Sequence, residues 1–228
     1  MNERQDNLLR TIVEEHIQTA EPIGSQLIVD KYFKDISSAT IRNEMAELEN
    51  KGLICQPYTS AGRIPSIYGY QYYLEKLIPK KDLDAKIKKS LDQVLSKINY
   101  DRQDIKDLAK FLTELSNQAI LVGFSQNDVY YTGISNLFKQ PEFTQHARIF
   151  SLSEIIDHLD DVMTKIFPIS SNKVDVLLGE DNPFGDLAAA VIIKLKIKKD
   201  SVLIGILGPV RMDYAKNMGL LNYLKNNL

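Results

Sequence analysis

The chain has a single cysteine, Cys55, among its 228 residues. One thiol excludes an internal disulfide and any cluster of thiolate zinc ligands. No apolar run approaches the ~20 residues that a membrane-crossing helix needs. The first residues, Met1-Asn2-Glu3-Arg4-Gln5, are polar where a signal peptide would place an apolar segment. Enzyme signatures are missing too: there is no Gly-x-Ser-x-Gly, no His-Glu-x-x-His and no phosphate-binding glycine loop. The three histidines, His16, His146 and His158, fall on expected helices without metal-type spacing. Glu180, Asp181 and Asp186 sit beside Asn182-Pro183, where carboxylates cap and turn rather than gather a hard cation. The expectation is a soluble, cytoplasmic protein that is not an enzyme and holds neither metal nor cofactor.

Neither sign of charge dominates, with 28 Lys and Arg against 30 Asp and Glu for a net of −2. By region, residues 1–79 carry 8 cations against 11 anions, residues 80–118 carry 9 against 7, and residues 119–228 carry 11 against 12. An acidic first segment weighs against general polyanion binding, so a nucleic-acid role there rests on a few placed cations.

The pattern divides the chain into 1–79, 80–118 and 119–228. In the first part Asn2, with Gln5 three residues on, resembles a capping box opening a helix whose stripe is Leu8, Leu9, Ile12, Val13 and Ile17. Glu21-Pro22 breaks it. Ser25 is expected to cap a short second helix with Leu27, Ile28 and Tyr32 inward, and Ser37 a third. In the third helix Ile41, Met45 and Leu48 fall at i, i+4, i+7 and face the core, which turns Ala39, Arg42, Asn43 and Ala46 outward with Ser38 and Thr40 flanking. Lys51-Gly52 ends it. Leu53–Gln56 reads as a strand, Ile64 starts its return, Thr59–Gly62 form the tip, and Ser66 caps a tyrosine-rich helix.

Three helices and a hairpin make the winged helix-turn-helix arrangement, whose third helix enters the DNA major groove. Most exposed Arg and Asn residues simply face solvent. Here small neighbours allow close approach to a groove wall, and Arg42 and Asn43 have the donor patterns that match guanine and adenine edges. Arg63, beside Gly62 at the expected hairpin tip, is either a turn arginine or a wing cation for phosphate or the minor groove. Thr59 and Ser60 add hydroxyls for phosphate, and Ser25 marks amides at a helix N-terminus.

Residues 80–118 read as a helical linker and dimerisation segment. One stripe is Leu83, Ile87, Leu91, Val94 and Ile98; another is Ile105, Leu108, Phe111, Leu112 and Leu115. Both need an apolar partner, each other or a second chain. Residues 119–228 read as α+β. A hairpin turns at Gln126-Asn127-Asp128, a helical span follows Pro141, strands fall at Val174–Leu178, Ala190–Lys196 and Ser201–Leu207, and a helix closes the chain. The alternation Val191–Lys198 predicts lysines on one wet sheet face. Cys55 reads as inert packing in an apolar strand. Gly208–Tyr214 reads as a strand-to-helix turn with Asp213 at the helix start and Arg211 pairing locally, in preference to a ligand pocket.

Several runs carry a resemblance. Glu3-Arg4-Gln5, Ile12-Val13-Glu14, Glu21-Pro22-Ile23-Gly24-Ser25, Ser38 to Leu48 and Thr59-Ser60-Ala61-Gly62-Arg63-Ile64-Pro65, with Leu178–Pro183 and Gly208–Tyr214 near the end, resemble HrcA, the heat-inducible transcription repressor family. The resemblance implies an α+β, multidomain chain: an N-terminal winged helix-turn-helix DNA-binding domain (1–79), a helical linker (80–118) and a C-terminal GAF-like regulatory domain (119–228). It implies a homodimer on double-stranded DNA at an inverted-repeat operator of chaperone genes, repressing the heat-shock response, with a GroEL-type chaperonin as modulator. The DNA-binding residues it carries over are Ser25, Ser38, Thr40, Arg42, Asn43, Thr59, Ser60 and Arg63. The chain departs from the family in leaving no room for most of an inserted dimerisation domain; the stripes over 83–115 are expected to replace it. The alternative is a winged-helix protein-interaction module with a ligand- or chaperone-sensing GAF-like domain, and a hydrolase using the carboxylates at 180–186 is the remote option.

Overall fold

The computed structural model describes residues 1–79, 82–143, 146–180 and 182–228, and for residues 146–148 the backbone alone. The chain is α+β and divides into two compact units, Met1–Pro79 and Lys80–Leu228.

The first unit begins with α1 (Glu3–Thr19), α2 (Ser25–Lys31) and α3 (Ser38–Asn50). Asn2 caps α1, its side chain accepting from Gln5 N, and Leu8, Leu9, Ile12 and Val13 are fully buried. Only half of the expected capping box forms, because the Gln5 side chain turns instead to Glu47 and Lys51 on and after α3. The N-cap of α2 is Gly24, without a side-chain bond, so Ser25 does not cap as expected; it is the first helical residue. Ser37 does cap α3, accepting from Thr40 N. Ile41, Met45 and Leu48 pack inward, as their spacing requires. A short antiparallel pair follows, β1 (Ile54–Cys55) and β2 (Ile64–Pro65), then α4 (Ile67–Tyr72), which runs into one π-helical turn over Tyr73–Leu77.

Two further expectations in this unit are corrected. Tyr32 is half exposed rather than inward, because a phenol that reaches a carboxylate on α1 need not enter the core. Cys55 is exposed rather than packed, since strand alternation buries Ile54 instead.

The second unit is a five-stranded antiparallel sheet in the order β4-β3-β7-β6-β5. Its strands are β3 (Ala119–Ser125), β4 (Asp128–Thr132), β5 (Asp175–Leu177), β6 (Ala188–Ile197) and β7 (Asp200–Pro209). The helices are α5 (Ala85–Leu95), α6 (Arg102–Ser116), α7 (Ile134–Phe138), α8 (His146–Asp157), α9 (Leu159–Ile169) and α10 (Tyr214–Asn227). β6 and β7 pair along their full length through a tight turn where Lys198 takes a positive φ of 55°.

Alternation along the strands supplies two apolar faces. Leu121, Ala190, Ile192, Leu203 and Leu207 pack with Leu152, Leu159, Met163 and Ile166 of α8 and α9. Ile120, Val122, Val191, Ile193, Ile204 and Ile206 alternate with them and are equally buried. The wet lysine face is confined to the far end of β6, where Lys196 is exposed between buried Leu195 and Ile197. Lys194 lies on the α9 side, its ammonium 4.4 Å from the Phe167 ring centroid and donating to the Phe167 carbonyl at 2.8 Å, so its stem covers apolar surface while its head bonds at the margin.

α6 packs on β3 and β4, with Ile105, Leu108 and Leu112 buried. Arg102 at its start stacks 4.0 Å over Phe124 and bonds Asp128 through both guanidinium nitrogens at 2.5 and 2.6 Å. Leu91 and Leu95 of α5 are buried as well, so of the two partners expected for the stripes, each other or a second chain, this chain's own residues supply much of the cover. Arg211 does not pair locally: it bonds Glu142 and Gln140, some seventy residues earlier in sequence. Asp213 does cap α10, accepting from Lys216 N. Of the carboxylates at 180–186, Asp181 lies outside the described residues, and so do Lys80 and Lys81 of the expected linker.

Gly69 packs α4 onto the chain leaving α3; a Cβ there would stand 1.9 Å from the Leu53 carbonyl oxygen. Gly69→Ala is expected to destabilise the first unit by about 2–3 kcal/mol through overpacking against backbone. Chemical denaturation checks this, and an unchanged midpoint would contradict it.

Candidate nucleic-acid interface

The site is built from the outward side of α3 and the hairpin beside it. With Ile41, Met45 and Leu48 committed to the core, Ala39, Arg42, Asn43 and Ala46 are exposed. Arg42 and Asn43 make no side-chain hydrogen bond or ion pair among the described residues. Ser38 and Thr40 are half-buried, and the Thr40 hydroxyl is engaged by the Ser37 hydroxyl at 2.9 Å, which makes it part of the helix cap.

The hairpin is fixed to the start of α2 by main-chain pairing. Ile23 N donates to the Arg63 carbonyl at 2.8 Å, and Arg63 N donates to the Ile23 carbonyl at 2.9 Å. Gly62 permits this approach, because a Cβ there would lie 2.5 Å from the Ile23 carbonyl carbon and oxygen. Gln56 donates to the Ala61 carbonyl at 3.0 Å and closes the loop, while Ser60 turns the tip with φ of 70°. Tyr58, Thr59 and Ser60 are exposed there.

This arrangement leaves a groove of about 360 Å³ whose walls include Ser25, Arg42, Gln56, Ser60 and Arg63. Four of the eight residues expected from sequence, Ser25, Arg42, Ser60 and Arg63, thus share one concave surface, whereas Ser38, Thr40, Asn43 and Thr59 lie outside it. Among the described residues two arginines line the groove and no carboxylate does. Glu49 stands on Arg63 just behind that surface, and other acidic residues of the unit are paired: Glu44 with Arg4, and Glu15 with Lys31.

Arg63 differs from its expected place. It stands at the base of the hairpin instead of the tip, with a side chain only 21% exposed. Its Nε donates to Oε2 of Glu49 at 3.0 Å, and Nη2 stands in ion-pair contact with the same oxygen at 2.9 Å. Sequence reasoning missed Glu49 and Gln56. Glu49 follows Arg42 by seven residues, two helical turns along one side of α3, so its spacing was a readable signal. Gln56 offered none, because its role depends on how the loop closes.

Cys55 borders this region. The protein around its sulfur and then the Glu49 carboxylate hold the thiol above its usual value, with Arg63 pulling the other way. That disfavours the thiolate and a nucleophilic role. Elsewhere His16 Nδ1 lies 2.7 Å from the Tyr70 hydroxyl, and His158 Nδ1 3.1 Å from Asp161 Oδ2. The side chain of His146 lies outside the described residues. Among the described residues no group of three His, Cys, Asp or Glu is placed to hold a metal, and no helix is long and apolar enough to cross a membrane.

These features define an α+β protein with an amino-terminal unit that presents an uncommitted helix face and a cationic groove. Residues 73–218 match the family model described as HrcA protein C terminal domain. The chain belongs to the HrcA family. A protein of Clostridioides difficile named heat-inducible transcription repressor HrcA is 44% identical over 118 residues, 51% of this chain and 35% of that one, so this match spans about a third of the relative's length. One of the same name from Desulforudis audaxviator is 27% identical over 335 aligned positions, covering 100% of this chain and 97% of the relative. With 228 residues here, a large block of those positions has no counterpart in this chain. A crystal structure described as a hypothetical protein shares the fold, with a TM-score of 0.76 at 18% identity over 99% of this chain and 97% of that one.

The seating of α2 against α1 generates a pH prediction. Glu15, 2% exposed, accepts from the Tyr32 hydroxyl and, at 3.0 Å, from Lys31 Nζ. The Tyr32 hydrogen bond, then Lys31, holds the Glu15 carboxyl below its usual value, while the same bond pushes the Tyr32 phenol up to about 12. A lowered carboxyl stabilises above its unfolded value and loses that contribution as pH falls through the folded one; a raised phenol stabilises below 10 and loses it as pH rises toward 12. Thermal melts should therefore show stability falling at both ends, with Tyr32→Phe flattening the alkaline loss. An alkaline limb identical in the variant would contradict the assignment.

Proposed function

We propose that this chain is a sequence-specific transcriptional repressor of heat-shock genes, acting on double-stranded DNA from the bacterial cytoplasm. The observation that carries the reading is the face of α3: Arg42 and Asn43 are exposed and, among the described residues, unpartnered, beside a groove whose described walls hold two arginines and no acid. In the family this chain belongs to, relatives are named heat-inducible transcription repressors.

Residues 1–79 act as a winged helix-turn-helix. Arg42 and Asn43 meet base edges in the major groove, where their donors match guanine and adenine, while Ser38 and Thr40 flank the approach. Ser25, Thr59, Ser60 and Arg63 meet the sugar-phosphate backbone and set register without reading sequence. Residues 80–118 link this domain to a GAF-like regulatory domain over 119–228, and a two-fold homodimer places two such helices on an inverted-repeat operator. A GroEL-type chaperonin modulates the repressor. The acidic balance of residues 1–79 favours one second reading, a winged-helix protein-interaction module with a ligand- or chaperone-sensing domain behind it.

Selection of duplexes from a randomised pool by the full chain, followed by titration at two salt concentrations, separates the two readings. The expected product is an inverted repeat, bound far more tightly than random duplex. Arg42→Ala should weaken binding by about 1–3 kcal/mol and relax preference at one base position per half-site, while Arg63→Ala should weaken all duplexes and reduce the salt slope by about one. Selection that yields no enriched sequence would sink the repressor reading.

A further inference from the structure

We propose that Glu49 is a positioning residue for DNA binding, holding the Arg63 guanidinium so that its free edge faces the groove before any duplex arrives. The inference rests on the DNA-binding reading above and adds a residue to it.

Three observations converge on this side chain. Arg63 is fixed at its main chain by the reciprocal bonds to Ile23. Its guanidinium is held from one side, Nε donating to Oε2 of Glu49 at 3.0 Å with Nη2 in ion-pair contact with that oxygen at 2.9 Å. And Arg63 is a wall of the groove it shares with Arg42, whereas Glu49 is not, so the carboxylate stands outside the surface that the arginine helps to form. A guanidinium carries five N–H donors in a rigid fork, and the bond to Glu49 occupies the one on Nε. Nη1, which no described residue engages, remains for an acceptor such as a phosphate oxygen. Arginine otherwise surrenders much of its rotamer freedom on binding; a clasp made on folding moves that loss ahead of the encounter.

The sign of the effect distinguishes this from simple electrostatics. A carboxylate near DNA repels phosphate, so if Glu49 acted only through its charge, neutralising it would tighten binding. If it positions Arg63, neutralising it weakens binding despite removing a negative charge. The arms are wild type, Glu49→Gln, Arg63→Ala and the double variant, each titrated with the wild-type-selected duplex and with random duplex, and each melted thermally. The expected result is about tenfold weaker binding of the selected duplex by Glu49→Gln and no further loss when the same change is made in Arg63→Ala. Arg63→Lys keeps the charge and lacks the fork, and it should lose affinity to a similar degree, which keeps the test open if Glu49→Gln melts early. Glu49→Gln binding as tightly as wild type or tighter, or an equal loss in the Arg63→Ala background, would overturn the inference. Failure of the wild type to prefer any duplex would instead sink the repressor reading itself.

Discussion

Two backbone hydrogen bonds between Ile23 and Arg63 hold together the part of the molecule that matters most. They join the turn before α2 to the base of the hairpin, and they require Gly62, whose missing side chain is the space the Ile23 carbonyl occupies. From that bridge the hairpin acquires its direction and Arg63 its place beside α3. Because α3 is seated by Ile41, Met45 and Leu48, its other side has no choice but to face out. Core packing and one main-chain bridge therefore determine a surface that neither touches directly.

Charge is managed locally rather than in total. Residues 1–79 hold more anions than cations, which as a smooth field would repel a polyanion. The anions are instead turned to structural use: Glu44 pairs Arg4, Glu15 receives Lys31 and Tyr32, and Glu47 receives Gln5, tying α1 to the helices that follow. What remains on the groove walls is Arg42 and Arg63, with Glu49 standing behind the second. Contacts within a few ångström outweigh a diffuse net charge that salt screens over ~10 Å.

How much of this was legible depends on the range over which each signal acts. The exposed face of α3, its Ser37 cap and its Gly52 stop are written within residues 37–52 and follow from helical period and capping chemistry. The strands of the second unit were readable for the same reason, as short alternating runs bounded by turns. Features that failed to show were those made by distant residues meeting. Arg211 finds Glu142, Tyr32 finds Glu15, and Gln5 abandons its own helix end for Glu47. The lysine alternation in β6 located the exposed Lys196 but not how far the wet face extends, because period two reports which residues share a face, not whether helices cover that face. Arg63 was placed at the hairpin tip and stands at its base, since its position depends on a backbone bridge that no local pattern encodes.

The central claim is that the outward side of α3 enters a major groove, and guanine N7 reports on that directly. Dimethyl sulfate footprinting of a wild-type-selected inverted repeat should show guanines protected in both half-sites, with protection lost in Arg42→Ala at the position it contacts. A bound duplex whose guanine N7 atoms stay fully reactive in both halves would contradict the account.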